Sequence, residues 1–312
     1  MSETPQNITD VLLGQNTEDV KTALDVLPSH ATHGSHDFIY DALKENEIDG
    51  IIGSSRPELV VLVGLEDYGK STFVGSLYHV LRRENSYDGQ MFVDSDTFAG
   101  FEQKVFLRKC NVEGRSGQKR TGVNDPFLLT LELQDEKTNQ KRKIVLSDRS
   151  GETYHLYLSN DDVLKNDRSI SRADRILFFM DSSALIGRDY VTHHDNYAML
   201  LKRMKNAGLI SDEAYIAAVF SKIDKVADAD KAKFGKRQSA MIDVLKSVLG
   251  RVDATYKIDS KNLTASDEED GNKTQLWDLM TLIVKPIPSK KNSLCAWGDM
   301  EIKKAKQVNH DK

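Results

Sequence analysis

Cysteine is nearly absent: Cys110 and Cys295 are the only two in 312 residues, too few for a disulfide framework or a four-thiolate zinc site. Nowhere does an apolar run approach the ~18 residues of a membrane span, and the polar start MSETPQNITD lacks the pattern of a signal peptide. Neither sign of charge dominates, since 43 Lys and Arg stand against 48 Asp and Glu for a net charge of −5. That balance argues against a surface coated in basic charge to hold nucleic acid. Internal repeats and low-complexity stretches are missing as well. What these absences leave is the expectation of a soluble, cytoplasmic, globular chain, with 39% apolar residues to build a core. At about 150 residues per domain, the length allows two ordinary domains or one enlarged one.

The apolar residues that are present fall into two periods. Leu59 to Val63 (LVVLV) is a continuous run, as expected of a strand buried on both faces of a parallel sheet. Phe127 to Leu133, Ile144 to Leu146, Ile176 to Met180 and Tyr215 to Phe220 read the same way, with a weaker candidate at Tyr256 to Ile258 or Leu263. Between them lie helical stripes: Phe73, Leu77, Val80 and Leu81; Tyr197, Leu200, Leu201 and Met204; Met241, Val244, Leu245, Val248 and Leu249; and Leu276, Leu279, Met280 and Ile283. Strands alternating with helices predict an α/β fold, a three-layer, doubly wound and mostly parallel sheet. The polar QDEKTNQKRK between two of the runs predicts an antiparallel hairpin. Residues 1–57 read as a helical extension, with Val20, Ala23, Leu24 and Leu27 on one face and a second short helix through Asp37 to Asn46. Residues 58–288 form the α/β domain, and 289–312 a tail bearing Lys303, Lys304 and Lys306.

One segment carries an unmistakable chemistry. Gly64-Leu-Glu-Asp-Tyr-Gly-Lys-Ser71 fits GxxxxGK[ST], with a buried strand before it and an amphipathic helix after it. The glycines let the backbone wrap with its N–H groups inward. Gly64, Asp67, Tyr68 and Gly69, with Lys70, Ser71 and Thr72 at the helix start, thus form a cradle for a β-phosphate. Lys70 reaches the β and γ oxygens, and the Ser71 hydroxyl ligates Mg²⁺. A tight glycine turn with a solvated lysine is the plainer alternative, but it leaves the strand, loop and helix context unexplained.

Two further strand ends bear on the same chemistry. Asp148, after Ile144-Val-Leu-Ser, sits in Asp148-Arg-Ser-Gly151-Glu152, where a carboxylate can hold Mg²⁺ through water. Gly151 can bring a backbone N–H close to the γ-phosphate. Ser221-Lys222-Ile223-Asp224 follows the strand at 215–220. The Asp224 carboxylate can accept from guanine N1 and the 2-amino group together, a donor pair that adenine lacks. The aliphatic stem of Lys222 can pack on the base plane.

These motifs, in this order, resemble those of the Ras-like, translation-factor-type superclass of P-loop GTPases, and within it the whole is most similar to bacterial double-GTPase proteins implicated in conflict or defence systems. GLEDYGKS looks like the first motif, DRSG the DxxG motif and SKID the [NT]KxD motif. Thr264-Ala265-Ser266 resembles the weaker fifth motif, which implies that the backbone at Ala265 and Ser266 touches the guanine oxygen. The resemblance covers roughly residues 58–288. It implies GTP and GDP as ligands, Mg²⁺ as cofactor, and an effector protein contacting the switch segments or the N-terminal helices. Pairing of GTPase domains as a homo- or heterodimer is a further implication. It also makes the stretch 84–125 a long first switch, in which Thr121 is the leading candidate for a Mg²⁺ ligand and Thr97 the second. Glu152 stands where many relatives orient the attacking water.

Departures from the pattern are concentrated in charge. Glu66 and Asp67 put two carboxylates inside the phosphate loop, where small residues are usual, and either point to solvent or oppose a triphosphate. Ser221 replaces Asn or Thr. Residues 101–125 hold six Lys or Arg against three acids; this is either a solvated basic loop or the source of a phosphate-facing Arg115 or Arg120. His30, His33 and His36 lack the cysteines of a metal site, and His193-His194-Asp195 reads as the start of a solvent-facing helix. Asp181, at a strand end, reads as structural, and Trp277 and Trp297 as packing residues.

Overall fold

The computed structural model describes residues 41–44, 47, 56–84, 86–109, 127–259 and 275–287. Seven strands form one sheet: β1 (Glu58–Val63), β2 (Gln90–Asp94), β3 (Leu128–Asp135), β4 (Lys141–Ser147), β5 (Arg175–Asp181), β6 (Tyr215–Ser221) and β7 (Ala254–Lys257). Their spatial order is β2-β3-β4-β1-β5-β6-β7. The pairs β1–β4, β1–β5, β5–β6 and β6–β7 are parallel, while β3 runs antiparallel to both β2 and β4. The expected hairpin is therefore β3–β4, in register from Leu128↔Ser147 to Gln134↔Lys141.

The helices follow the expected stripes. They are α1 (Lys70–Arg83), α2 (Phe98–Lys109), α3 (Gly151–Leu156), α4 (Asp161–Lys165), α5 (Arg168–Ser171), α6 (Ser182–Ile186), α7 (Tyr190–Asn206), α8 (Lys231–Leu249) and α9 (Leu276–Val284). Every residue of β5 is buried and all but the first of β1, which requires a helical layer on each face of the sheet. Phe73, Leu77, Val80 and Leu81 of α1 are buried, as are Tyr197, Leu200, Leu201 and Met204 of α7.

Two sequence expectations need correction. The stretch 84–125, expected as one long switch segment, holds regular structure, because β2 and α2 lie within it. β2 escapes a periodicity search because it is a five-residue edge strand with mixed burial. α2 is held mainly by tertiary packing: Phe101 stacks on Tyr78 of α1 at 4.6 Å, and the Glu102 carboxylate accepts from the Tyr78 hydroxyl at 3.0 Å. Of the helix expected through Asp37 to Asn46, Leu43 is instead extended. It forms an antiparallel bridge with Leu128, its N–H donating to the Leu128 carbonyl at 2.8 Å.

Candidate nucleotide-binding site

The loops after β1, β4, β5 and β6 leave the same carboxyl edge of the sheet. In the strand order, β1 lies between β4 and β5, which is where chains of this kind open a crevice. At Gly64 the chain passes so close to β5 that a Cβ would lie 2.9 Å from the Phe179 carbonyl oxygen, so only glycine fits. Asp67 (φ 60°) and Gly69 (φ 82°) take left-handed backbone, which Asp tolerates better than most side chains and Gly adopts at no cost. Between them Tyr68 turns inward. Its ring is 5% exposed and stacks on Tyr197 at 6.3 Å, and its hydroxyl lies 3.0 Å from His193 Nδ1. Its carbonyl accepts from Ser221 Oγ at 2.7 Å. The phosphate loop is thus pinned from inside by α7 and from the side by β6.

Lys70 closes the loop on itself. Its Nζ donates to the carbonyls of Gly64 (2.5 Å) and Leu65 (2.9 Å), over the ring of Tyr154. Burial pulls its pKa down to about 8, while the negative charges of Asp148, Asp67 and Glu66 act in the opposite direction. Asp67 is exposed and Glu66 half-buried.

Asp148, at the end of β4, is fully buried. Its Oδ1 accepts from Ser71 Oγ at 3.0 Å and its Oδ2 from Lys104 Nζ of α2 at 2.5 Å. A hydroxyl beside a buried carboxylate is a hard-oxygen donor set of the kind that holds Mg²⁺ together with substrate phosphates, so the residues fit that ion. Among the described residues no cluster of three or more His, Cys, Asp or Glu suggests another metal centre. Gly151 approaches the phosphate loop so closely that a Cβ would lie 2.3 Å from the Glu66 nitrogen. Ser150 caps α3 by accepting from the Glu152 N–H at 3.3 Å, and Glu152 is exposed on the first turn. Arg149 lies 3.8 Å over the Phe127 ring and pairs with buried Asp167 at 3.2 Å, which ties this segment to the start of α5.

On the other flank, Asp181 ends β5 and caps α6 through the N–H groups of Ser183 (2.8 Å) and Ala184 (3.3 Å). Lys222, itself left-handed at φ 56°, donates to its free carboxylate oxygen at 2.6 Å. Burial alone raises the Asp181 carboxyl, but hydrogen bonds from Lys222 and Ser183 hold it below the usual range. Asp224 is exposed in the 3₁₀ turn Ile223–Lys225.

The structure therefore joins Lys70, Ser71 and Asp148, and joins Ser221 to the phosphate loop. Thr121, Ala265 and Ser266 lie outside the described residues, as do Arg115 and Arg120. Thr97 is buried, and its Oγ1 accepts from the Thr130 N–H at 2.8 Å, so it fastens the β2–α2 corner to β3. Lys104, Asp167, the Tyr68 contact of His193 and the Lys222 contact of Asp181 escaped the sequence reading. The strand-end position of Asp181 was a usable signal; the other three have none in their local sequence.

A family model described as Double-GTPase 2 matches residues 58–274, from the first residue of β1 through the loops just described. The chain belongs to the Double-GTPase 2 family. Its mostly parallel seven-stranded sheet, with the phosphate loop between β1 and α1, is the P-loop GTPase fold, and family membership implies GTP and GDP as ligands. No curated protein matches the chain. Among solved structures, it is similar to translation elongation factor SelB from Methanococcus maripaludis in complex with the GTP analogue GppNHp. The identity is 14% over 76% of this chain and 36% of that one, with a TM-score of 0.37. This Double-GTPase 2 chain therefore spans about a third of the elongation factor's length. It is also similar to the signal recognition particle receptor SRβ-GTP/SRX complex from Chaetomium thermophilum, with 13% identity over 73% of this chain and 100% of that one and a TM-score of 0.38.

Proposed function

We propose that the protein is a GTP-dependent switch that slowly hydrolyses GTP to GDP and phosphate with Mg²⁺. The observation that carries this reading is convergence. The phosphate loop, Asp148 and the Ser221–Asp224 turn follow three strands of one parallel set and leave its carboxyl edge together.

On this reading the backbone N–H groups from Gly64 to Thr72 cradle the β-phosphate, and Lys70 leaves its two carbonyls to hold the β and γ oxygens. Ser71, Asp148 and Thr121 hold the metal. Bound Mg²⁺ supplies charge neutralisation on the phosphate oxygens. Gly151 directs its N–H at the γ-phosphate, and Glu152 accepts a hydrogen bond from the water attacking in line. Asp224 accepts from the guanine N1 and amino groups, the Lys222 stem covers the base, and Ala265 and Ser266 meet the guanine oxygen. Loss of the γ-phosphate releases residues around 95–125 and 149–165, changing the surface offered to an effector or to a second GTPase domain. The flanks 1–57 and 289–312 are the natural places for such partners to bind.

A nucleotide-gated scaffold with negligible turnover is a second reading. It is favoured by three carboxylates, Glu66 and Asp67 in the phosphate loop and Glu152 after DRSG, whose charge opposes that of a triphosphate. Single-turnover hydrolysis of loaded GTP separates the two, because a scaffold yields GDP only at the background rate.

Titration of fluorescent GTP and ATP analogues against wild type and Asp224→Ala tests the base assignment. Wild type is expected to prefer GTP, and the variant to lose about 10–100-fold in GTP affinity, the worth of hydrogen bonds to a charged acceptor. Equal affinity for the two bases, unchanged in the variant, overturns the guanine reading.

A further inference from the structure

We propose that Lys104 is a built-in counter-ion of Asp148, so that Mg²⁺ and the ammonium of α2 compete for that carboxylate. The inference rests on the GTP-switch reading and adds a residue that neither the motifs nor the family assigns.

Its basis is the coordination of one carboxylate. Asp148 is fully buried, and a buried carboxylate without a partner is strongly disfavoured. The partner is Lys104, whose side chain is only 12% exposed and whose Nζ lies 2.5 Å from Oδ2. The other oxygen is engaged by the Ser71 hydroxyl at 3.0 Å. Both oxygens of the carboxylate are thus bonded within the chain, while the Ser71 hydroxyl, donating its one hydrogen, keeps lone pairs for a metal. Lys70 is satisfied in the same way by the carbonyls of Gly64 and Leu65. Both cations of the site thus have partners within the chain, Lys104 a carboxylate and Lys70 two carbonyls, and loading must exchange both sets of bonds.

A divalent ion arriving at Ser71 and Asp148 compensates the carboxylate and repels the ammonium beside it, so the hold on Lys104 weakens. The consequence falls on one half of α2. The first half is fastened independently: Phe101 stacks on Tyr78, Glu102 accepts from the Tyr78 hydroxyl and pairs with Arg82, and the preceding Thr97 accepts from Thr130. Lys104 follows these anchors, and the helix continues to Lys109. Displacing the ammonium therefore removes the hold that Lys104 gives α2, while the anchors of 98–102 stay in place. By linkage, the ammonium must oppose metal binding as strongly as the metal opposes the ammonium.

The test uses the full chain loaded with fluorescent GDP, following its release as Mg²⁺ is varied. Lys104→Met is expected to lower the Mg²⁺ concentration for half-maximal retention by about tenfold, within the usual range of such couplings. Lys104→Arg, which keeps the charge, is expected to stay close to wild type. Hydrogen exchange on wild type needs no variant. Adding Mg²⁺ to the GDP-loaded, metal-free protein should speed exchange at amides 104–109 and leave 98–102 unchanged. An unchanged Mg²⁺ midpoint in a folded Lys104→Met protein overturns the proposal, and so does an α2 exchange pattern indifferent to Mg²⁺. If Lys104→Met does not fold, the exchange result decides. Wild type that retains no fluorescent GDP at any Mg²⁺ concentration would instead fail the GTP reading itself and take this inference with it, a result visible before any variant is made.

Discussion

Lys70 sits among its own loop carbonyls with a pKa drawn down from 10.5 to about 8 by burial. Between those two values the unfolded chain binds more protons than the folded one, so stability rises with pH across that window. Below about 8 the cost of a buried ammonium is fully present, and above 10.5 it has disappeared. Nucleotide-free wild type is therefore expected to gain stability relative to Lys70→Met from pH 8 to 10.5, by an amount on the order of 3 kcal/mol. Urea unfolding of both proteins at the two ends of the window checks the sign and the size. A phosphate ligand reverses the preference, because it favours the charged amine. The lysine that closes the loop between β1 and α1 was legible in GLEDYGKS, but its partners were not, since they are backbone carbonyls whose direction depends on how the loop curls.

At the scale of the element, the phosphate loop is held by its neighbours rather than by its own sequence. Ser221 at the end of β6 donates to the Tyr68 carbonyl, and the Tyr68 ring reaches α7. Replacing Asn or Thr of the resembled motif by Ser thus keeps a hydrogen bond to the loop. Ser221→Ala leaves a buried carbonyl without that donor. It is expected to cost about 1–3 kcal/mol of stability and to weaken GDP retention in parallel. Thermal unfolding and nucleotide dissociation rates measure the two effects, and Ser221→Thr, which restores a hydroxyl, should recover both. β2 and α2 were illegible for a related reason. A short edge strand and a helix fastened through Phe101 and Glu102 get their stability from α1 and β3, so their own periodicity is weak.

Across the whole domain, the edge of the sheet opposite the nucleotide site is closed by charge. Arg175, 3% exposed at the start of β5, pairs with Glu58 of β1 at 2.9 Å and donates to the Lys285 carbonyl beyond α9 at 2.6 Å. Arg142 of β4 reaches the same Glu58 at 3.0 Å. Three strands and α9 meet at this knot; without its central cation Glu58 keeps Arg142, but the carbonyls of Ile283 and Lys285 lose their donor. Arg175→Leu is expected to lower stability by about 1–3 kcal/mol while leaving nucleotide affinity nearly unchanged. Denaturation and GDP titration on the same preparation separate the two. Among the described residues no helix is long and apolar enough to cross a membrane.

The sequence by itself determined what contiguous residues can encode. Buried parallel strands announce themselves as unbroken apolar runs, the strand–loop–helix segment of GLEDYGKS is uninterrupted, and DRSG and SKID placed further candidate site residues at strand ends. The tertiary structure alone decided what meets across the chain. Asp148 takes Lys104, 44 positions earlier, and Tyr68 takes His193, 125 positions later. Such pairs depend on strand order, on which helix covers which face and on the demand of a buried charge or hydroxyl for a partner. None of these is a property of the few residues around either member.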